Sequence, residues 1–303
     1  MMRIVGIGAN VYDTLIAVDG LPEEDTKKAA EYAVCCGGGP AATGISAAAR
    51  LGAQCAFIGN VSGDGIGAFL KDDLKRYGVD VSHIRACPGS RAFTSVVLLN
   101  RKTATRTCVF DRGSVPKTVL DEEQKELIRQ ADVLMVDGND LDAAVEAAAL
   151  AQESGTLVLY DAGGRYPGVE RLLERTDILI PSREFALAVT GASDAAAAAV
   201  ALYEAYSPKA VVVTCGKDGG VLYTGETVEF YPAYPAEVVD SNGAGDVFHG
   251  AFAFGVAKGF DFSKCCHFSS AVSALKCTGV GARESVPDYP QTVEFLRRNG
   301  YEL

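Results

Sequence analysis

The fold expected from the sequence is α/β: a parallel sheet sandwiched by helices, with a small antiparallel sheet appended. Short apolar runs rich in β-branched residues alternate with helical patterns along most of the 303 residues. Strands that read as continuous apolar runs, separated by helices, belong to a parallel sheet buried on both faces. The alternation fails at 28–36 and 91–110, where strand-like runs follow one another without a helix. There, 92–99 and 105–110 flank the turn-like Asn100-Arg101-Lys102, which reads as a hairpin. A sheet this small cannot bury both faces alone. It is expected to close over a ligand, to pack on a second subunit, or both.

In chain order, residues 3–7 read as a strand and 41–51 as an alanine-rich helix. Residues 54–60 read as a strand, and 66–77 as an amphipathic helix stopped by Gly78. Asp121 is placed to cap a helix running to about Gln130. A strand at 133–136, a helix at 141–153 and a strand at 157–160 follow, then strands at 178–180, 211–214 and 221–223. Helices at 245–258, 263–276 and 291–298 complete the pattern. No repeat, low-complexity tract or long linker divides the chain, so 1–303 is read as one domain. Its appended sheet is drawn from about 13–36 and 88–112.

Hydrophobic residues make up 48% and charged residues 22%, enough apolar side chain for a sizeable core. The formal net charge of −11 disfavours a general nucleic-acid or anionic-membrane surface, while leaving room for a local phosphate pocket. The longest apolar run, 195–203, is far short of the ~20 residues that span a bilayer. The opening MMRIVGIGAN has no signal-peptide layout. Nine cysteines without a C-x-x-C spacing, and only three histidines, argue against a disulfide framework or a structural zinc. Reduced thiols in a cytoplasmic protein are expected.

The sharpest segment is VVDSNGAGDVFHGA, residues 238–251. An apolar run leads into a glycine turn, and a helix rich in small residues follows. Gly243, Ala244 and Gly245 present consecutive backbone N–H groups at a helix start, where the dipole favours an anion such as phosphate. Asp246 stands beside that position. A carboxylate there suits a general base for a hydroxyl attacking phosphorus.

Four segments in order resemble the ribokinase, or PfkB, family of sugar and nucleoside kinases. They are GIGANVYDTLIAVDGLPEED at 6–25, GGGPAATGISAAARLGA at 37–53 with FIGNVSGDGIGAFLKDDLKRYGVDVSHI at 57–84, VVVTCGKDGGVLY at 211–223, and DSNGAGDVFHGAF at 240–252 with KCTGVGARESVP at 276–287. The resemblance spans essentially the whole chain. It implies a ribokinase-like fold with a β lid, and transfer of phosphate from ATP to an alcohol.

Residue by residue, the resemblance puts Asp246 at the catalytic base. Gly243, Ala244 and Gly245 fall at the anion hole. Thr214, Gly216 and Gly219 fall at the nucleotide-binding turn, where Gly-x-x-Gly after a strand lets backbone approach a ligand. Gly281 falls near the nucleotide and, with Asp240 and Asn242, where relatives often wrap a potassium ion. Magnesium is implied with the ATP. On the substrate side, Asp13 matches the carboxylate that grips sugar hydroxyls. Gly38 and Gly39 match the pair that lets the chain pass close to the sugar. Asp25 and Lys27 begin the lid. Arg106 and Arg112, on or after the hairpin, read as exposed lid arginines within reach of an anionic substituent.

The chain departs from the family pattern at three places. Thr43 stands where Asn is usual, which shortens or removes one substrate hydrogen bond. The metal-linked Asn-x-x-Glu appears as Ser182-Arg183-Glu184-Phe185, with Glu184 one residue out of step, a rotation of ~100° on a helix. Ser241 and Asn242 precede the glycines in place of two threonines. The GGGPAAT phrase and the Ser182 variant look like sulfofructose kinases. The PEED lid and the stretch from Arg106-Thr107 to Asp111-Arg112 look like ketohexokinases. In sulfofructose enzymes an arginine ending the central strand holds the sulfonate. Here that strand ends Asp137-Gly138-Asn139-Asp140, so a neutral or weakly charged ketose or related polyol is expected.

An exposed antiparallel edge invites a homodimer through the lid. One alternative is a nucleoside kinase with Tyr12, Phe93 and Phe110 as a shelf for the base. Another is a non-catalytic sugar or nucleotide sensor, against which the intact Asp246 argues. A dinucleotide oxidoreductase is set aside, because Gly6-x-Gly8 has Val11 in place of the third glycine.

Overall fold

The computed structural model describes residues 2–103 and 105–303. The chain opens with β1 (Arg3–Ile7), β2 (Val11–Val18) and β3 (Tyr32–Gly38), then α1 (Pro40–Arg50), β4 (Gln54–Ser62) and α2 (Gly65–Arg76). Short strands β5 (Val79–Asp80) and β6 (Ile84–Cys87) lead to the hairpin β7 (Thr94–Asn100) and β8 (Thr105–Asp111). Next come α3 (Glu122–Arg129), β9 (Val133–Val136), α4 (Leu141–Ser154), β10 (Leu157–Ala162), α5 (Glu170–Leu173) and β11 (Ile178–Pro181). Helices α6 (Arg183–Thr190) and α7 (Ala195–Tyr206) precede β12 (Ala210–Thr214), β13 (Gly220–Tyr223) and β14 (Val228–Tyr231). The chain ends with α8 (Ala244–Lys258), α9 (Phe262–Lys276) and α10 (Tyr289–Arg298).

Ten strands form one sheet in the order β14-β13-β12-β11-β10-β9-β1-β4-β5, with β6 also paired to β4. From β12 to β5 every pairing is parallel, and at the edge β13 runs antiparallel to both β12 and β14. The apolar run of β9 shows why both faces are covered. Val133 and Met135 point into the core beneath α1, α2, α8, α9 and α10, while Leu134 and Val136 point into the core beneath α3 to α7. Two adjacent glycine positions bring α1 and α8 together, since a Cβ on Gly250 would overlap the Gly44 carbonyl. No single helix among the described residues is long and apolar enough to cross a membrane.

The second sheet has the order β3-β2-β7-β8. The β7–β8 hairpin is antiparallel, as is β2–β3, but the central pair β2–β7 is parallel. Strand β2 escaped the sequence reading. Its inward positions are Asp13, Leu15 and Ala17 and its outward ones include Tyr12 and Ile16, so a polar residue faces in and apolar residues face out. That inversion hides the period of 2 that marks a half-buried strand.

Candidate active site

The parallel strands deliver their carboxyl ends to one edge of the main sheet, where doubly wound α/β folds bind ligands. Gly8 to Asn10 follow β1, Asp137 follows β9, Asp161 lies near the end of β10, Ser182 follows β11 and Thr214 ends β12. Helix α8 packs against β9, β1 and β10. His249, one turn into α8, sets Nε2 at 2.9 Å from the Ile180 carbonyl and Nδ1 at 3.2 Å from Asp161 Oδ2.

The N-terminus of α8, like that of α1 on Gly39, lacks the side-chain cap that most helices of the chain have. Helices α2, α3, α6, α7, α9 and α10 start on Asp or Ser side chains that accept first-turn N–H groups. Helix α8 starts on Gly243, at φ 75°, and has no side-chain cap. Ala244 N–H turns back to the Ser241 carbonyl at 3.2 Å. The N–H groups of Gly245 and Asp246 then have no acceptor within the helix. Gly245 is exposed. Free N–H groups at a helix start are suited to an anion, the role expected of Gly243, Ala244 and Gly245.

Asp246 stands in the same first turn. Burial pushes its carboxyl above the ordinary value, while His249, then Arg106, Arg283 and Lys276, pull it back. Asp13 faces the site from β2. Its carboxyl is raised chiefly by burial, with Ser95 and Arg283 opposing and Asp246 adding to the rise. Ser95 on β7 donates to Asp13 Oδ1 at 2.6 Å. A Cβ on Gly38 would overlap the Asp13 carboxylate, and a Cβ on Gly37 would overlap Asp73 and Arg283. The glycine run at 37–39 therefore makes room for charged side chains beside β3.

Several residues of this centre were not singled out from the sequence. Arg283 is fully buried and ties three elements together. It donates to Thr43 Oγ1 at 3.2 Å, Asp73 Oδ2 at 2.5 Å and the Gly38 carbonyl at 2.6 Å. Asp161 is pushed up to about 7 by burial, with His249 opposing. Both ring nitrogens of His249 face oxygens, Nδ1 also lying 2.6 Å from the Gly245 carbonyl. Asp137 accepts from the N–H groups of Ala9, Ala41 and Asn139 at 2.8, 3.0 and 2.8 Å. The one signal in the sequence was that these groups sit at strand ends and in the glycine motifs.

Other expectations need correction. Thr43 was expected to face substrate; it is fully buried, and its hydroxyl is held by Arg283. Asp25 and Lys27 lie between two strands of the second sheet, as expected of the lid. They are exposed on the β2–β3 connection, which folds on itself through Thr26 Oγ1 to the Glu23 carbonyl at 2.7 Å and Lys28 to the Asp19 carbonyl. Tyr12 packs edge-on to Phe69 at 5.2 Å, so it leaves the expected aromatic shelf. Phe93 and Phe110 do come together, at 5.8 Å.

Thr214, Gly216 and Gly219 form a tight turn after β12. Gly216 has open space around it, and a Cβ on Gly219 would overlap the Tyr231 carbonyl. Glu184 is exposed in the first turn of α6, whose cap is Ser182. Among the described residues no three His, Cys, Asp or Glu converge as a metal cage.

Asp240, Asn242 and Gly281 do meet, but not around an open cation site. Asp240 Oδ1 accepts from Asn242 N–H at 2.8 Å, Oδ2 accepts from Gly281 N–H at 2.9 Å, and the carbonyl accepts from Lys276 Nζ at 2.8 Å. Lys276 is fully buried. Burial lowers its pKa, and Asp240 opposes that shift. A resident ammonium on Asp240 would repel a second cation there, so this residue set does not fit a potassium ion held by Asp240.

An anion cradle, a carboxylate beside it and a second sheet facing both define a phosphotransferase of the α/β class. A profile of the pfkB family carbohydrate kinases matches residues 1–289, and the chain belongs to that family. It is 28% identical over 313 aligned residues to a 5-dehydro-2-deoxygluconokinase of Clostridium perfringens, covering 95% of this chain and 92% of that one. It is 26% identical to a ribokinase of Haemophilus influenzae, covering 86% and 87%. The fold matches the Arabidopsis thaliana ribokinase solved with ribose and ATP at a TM-score of 0.85, with 24% identity over 98% of each chain. The protein is thus a sugar kinase, transferring phosphate to an alcohol.

Proposed function

We propose that Asp246 is the general base of an ATP-dependent phosphorylation of a small sugar. Asp246 takes the proton of the substrate hydroxyl as that oxygen bonds the γ-phosphorus. The bond from the γ-phosphorus to the bridging oxygen breaks, and ADP leaves. The free N–H groups at the start of α8 hold the charge that develops on the transferred phosphoryl group. Magnesium, carried on the ATP phosphates, would neutralise their charge. Asp13 grips substrate hydroxyls from the second sheet, which acts as the lid over the site. The turn at Thr214, Gly216 and Gly219 lies against the nucleotide.

The single observation that carries this reading is Asp246 in the uncapped first turn of α8. Asp246→Asn should lower kcat by about 10²–10⁴-fold, with ADP release as the readout and the KM for ATP little changed. An enzyme keeping more than about a tenth of its kcat would not use this base.

The sugar reading is favoured over a nucleoside. The guanidinium of Arg112 lies over the Phe93 and Phe110 rings at 5.6 Å each, where a base would have to stack. The outer face of the lid sheet carries Val96 and Val109, the latter 70% exposed. It supports a homodimer joined through the lids. All nine cysteines are free, which supports a reducing, cytoplasmic setting.

A further inference from the structure

A cavity of about 220 Å³ opens at the carboxyl ends of β1 and β9, against the second sheet. Asn10, Asn60, Phe93, Arg112, Lys117 and Asn139 line it. Two cations converge on one residue there: Arg112 donates to Asn139 Oδ1 at 3.1 Å, and Lys117 donates to the Asn139 carbonyl at 2.9 Å. Neither takes part in an ion pair among the described residues. The Arg112 guanidinium is held in place by Phe93, Phe110 and Tyr166, the last at 5.2 Å. It offers five N–H donors, of which one is used. Asn10 is 9% exposed, and both atoms of its amide lack a partner. Asp140 also lines the cavity, but its Oδ2 accepts from Thr118 N–H at 2.9 Å and its Oδ1 is buried, so its charge is turned into the wall.

Two like charges side by side repel unless an anion joins them, and this chain carries a net charge of −11. Asp140 pairs with neither cation, and the substrate can bring the group that does. We propose that the sugar substrate carries a fixed anionic group, a carboxylate, sulfonate or phosphate, held by Arg112 and Lys117 with Asn10 beside it. A guanidinium fork matches the paired oxygens of all three groups. This inference rests on the sugar-kinase reading and revises the expectation of a neutral sugar. That expectation followed from the lack of an arginine at the end of the central strand. The arginine instead arrives at Asn139 from the end of the hairpin, 27 residues upstream.

The test is ADP release, with ATP and magnesium, across neutral ketoses and aldoses, sugar acids, sugar monophosphates and a sulfonated hexose. One anionic class should exceed its neutral counterpart in kcat/KM by about 100-fold, and which class it is separates the three groups. Arg112→Gln and Lys117→Met should each raise the KM for that substrate about tenfold or more, with kcat and the KM for ATP nearly unchanged. Added salt should raise the same KM. A neutral sugar turned over best, with both variants and salt without effect on its KM, overturns the proposal. If no sugar supports turnover, the kinase reading fails first. Calorimetric binding of the same panel to the Asp246→Asn protein then decides the subsite. Anion binding lost in the Arg112→Gln background supports it, and no anion binding overturns it.

Discussion

Asp246 does not work alone: its charge is set by what stands one turn along α8. His249 is the first of the groups pulling the Asp246 carboxyl down against burial, and it also opposes the rise of Asp161. His249→Asn removes the imidazole that opposes the rise of both carboxyls. Both carboxyls then rise. A general base works only when deprotonated, so the acid limb of kcat/KM should move to higher pH. Activity should be lost most at the acid end of the profile and recover as the pH rises. A uniform loss at every pH would make His249 a packing residue only. The same arithmetic explains why sequence reasoning found Asp246 and missed its setting. A base can be read from a motif, whereas the imidazole that tunes it needs Asp161 and the Ile180 carbonyl, 88 and 69 residues away.

At the scale of elements, the second sheet is the part with two jobs and two faces. Its inner face carries Asp13, Ser95 and Phe110 in register, and its outer face carries Thr14, Val96 and Val109. The inner face was legible only through the family likeness of Asp13, because polar residues pointing inward erase the alternation that marks a strand. The main sheet was legible directly. Strands β1 and β9 begin and end where their apolar runs do, and Asp121 caps α3 as its position suggested. Helix α7 was seen only as an apolar run, since an alanine-rich segment with Leu202 and Tyr203 shows no polar stripe to give a period. The parallel β2–β7 pairing was not legible at all, because it joins residues 82 apart, as Asp13 and Ser95 are. If the outer face joins two subunits, Val96→Asp with Val109→Asp should yield a monomer by light scattering. Both positions are exposed, so thermal stability of the subunit itself should hardly change. An unchanged mass would place the contact elsewhere.

For the molecule as a whole, the question is what holds the second sheet in register with the catalytic helix. Apolar contact does part of it: Tyr12 of β2 packs on the main core edge-on to Phe69 at 5.2 Å, but the small cluster of Leu15, Ala17, Cys36, Val97 and Leu99 is separate from the two large ones. The buried polar link that spans the parts is Arg283, in the connection between α9 and α10. Its guanidinium reaches β3 at Gly38, α1 at Thr43 and α2 at Asp73. Asp73 keeps a second partner, Arg76 at 2.9 Å, but that guanidinium is largely in solvent. Arg283→Met would leave Asp73 buried with its main counter-charge gone, a change that costs about 3–5 kcal/mol. The melting temperature should fall by on the order of 10 °C. Adding Asp73→Asn should restore part of that loss, because the uncompensated charge is then absent. The kinetic consequence is separable from the thermal one. At a temperature where the variant is folded, loosening β3 moves Gly38 and with it Asp13, so the KM for the sugar should rise while the KM for ATP holds. Equal changes in both constants, or a melting temperature within about 2 °C of the parent, would mean that the second sheet is positioned by something other than this arginine.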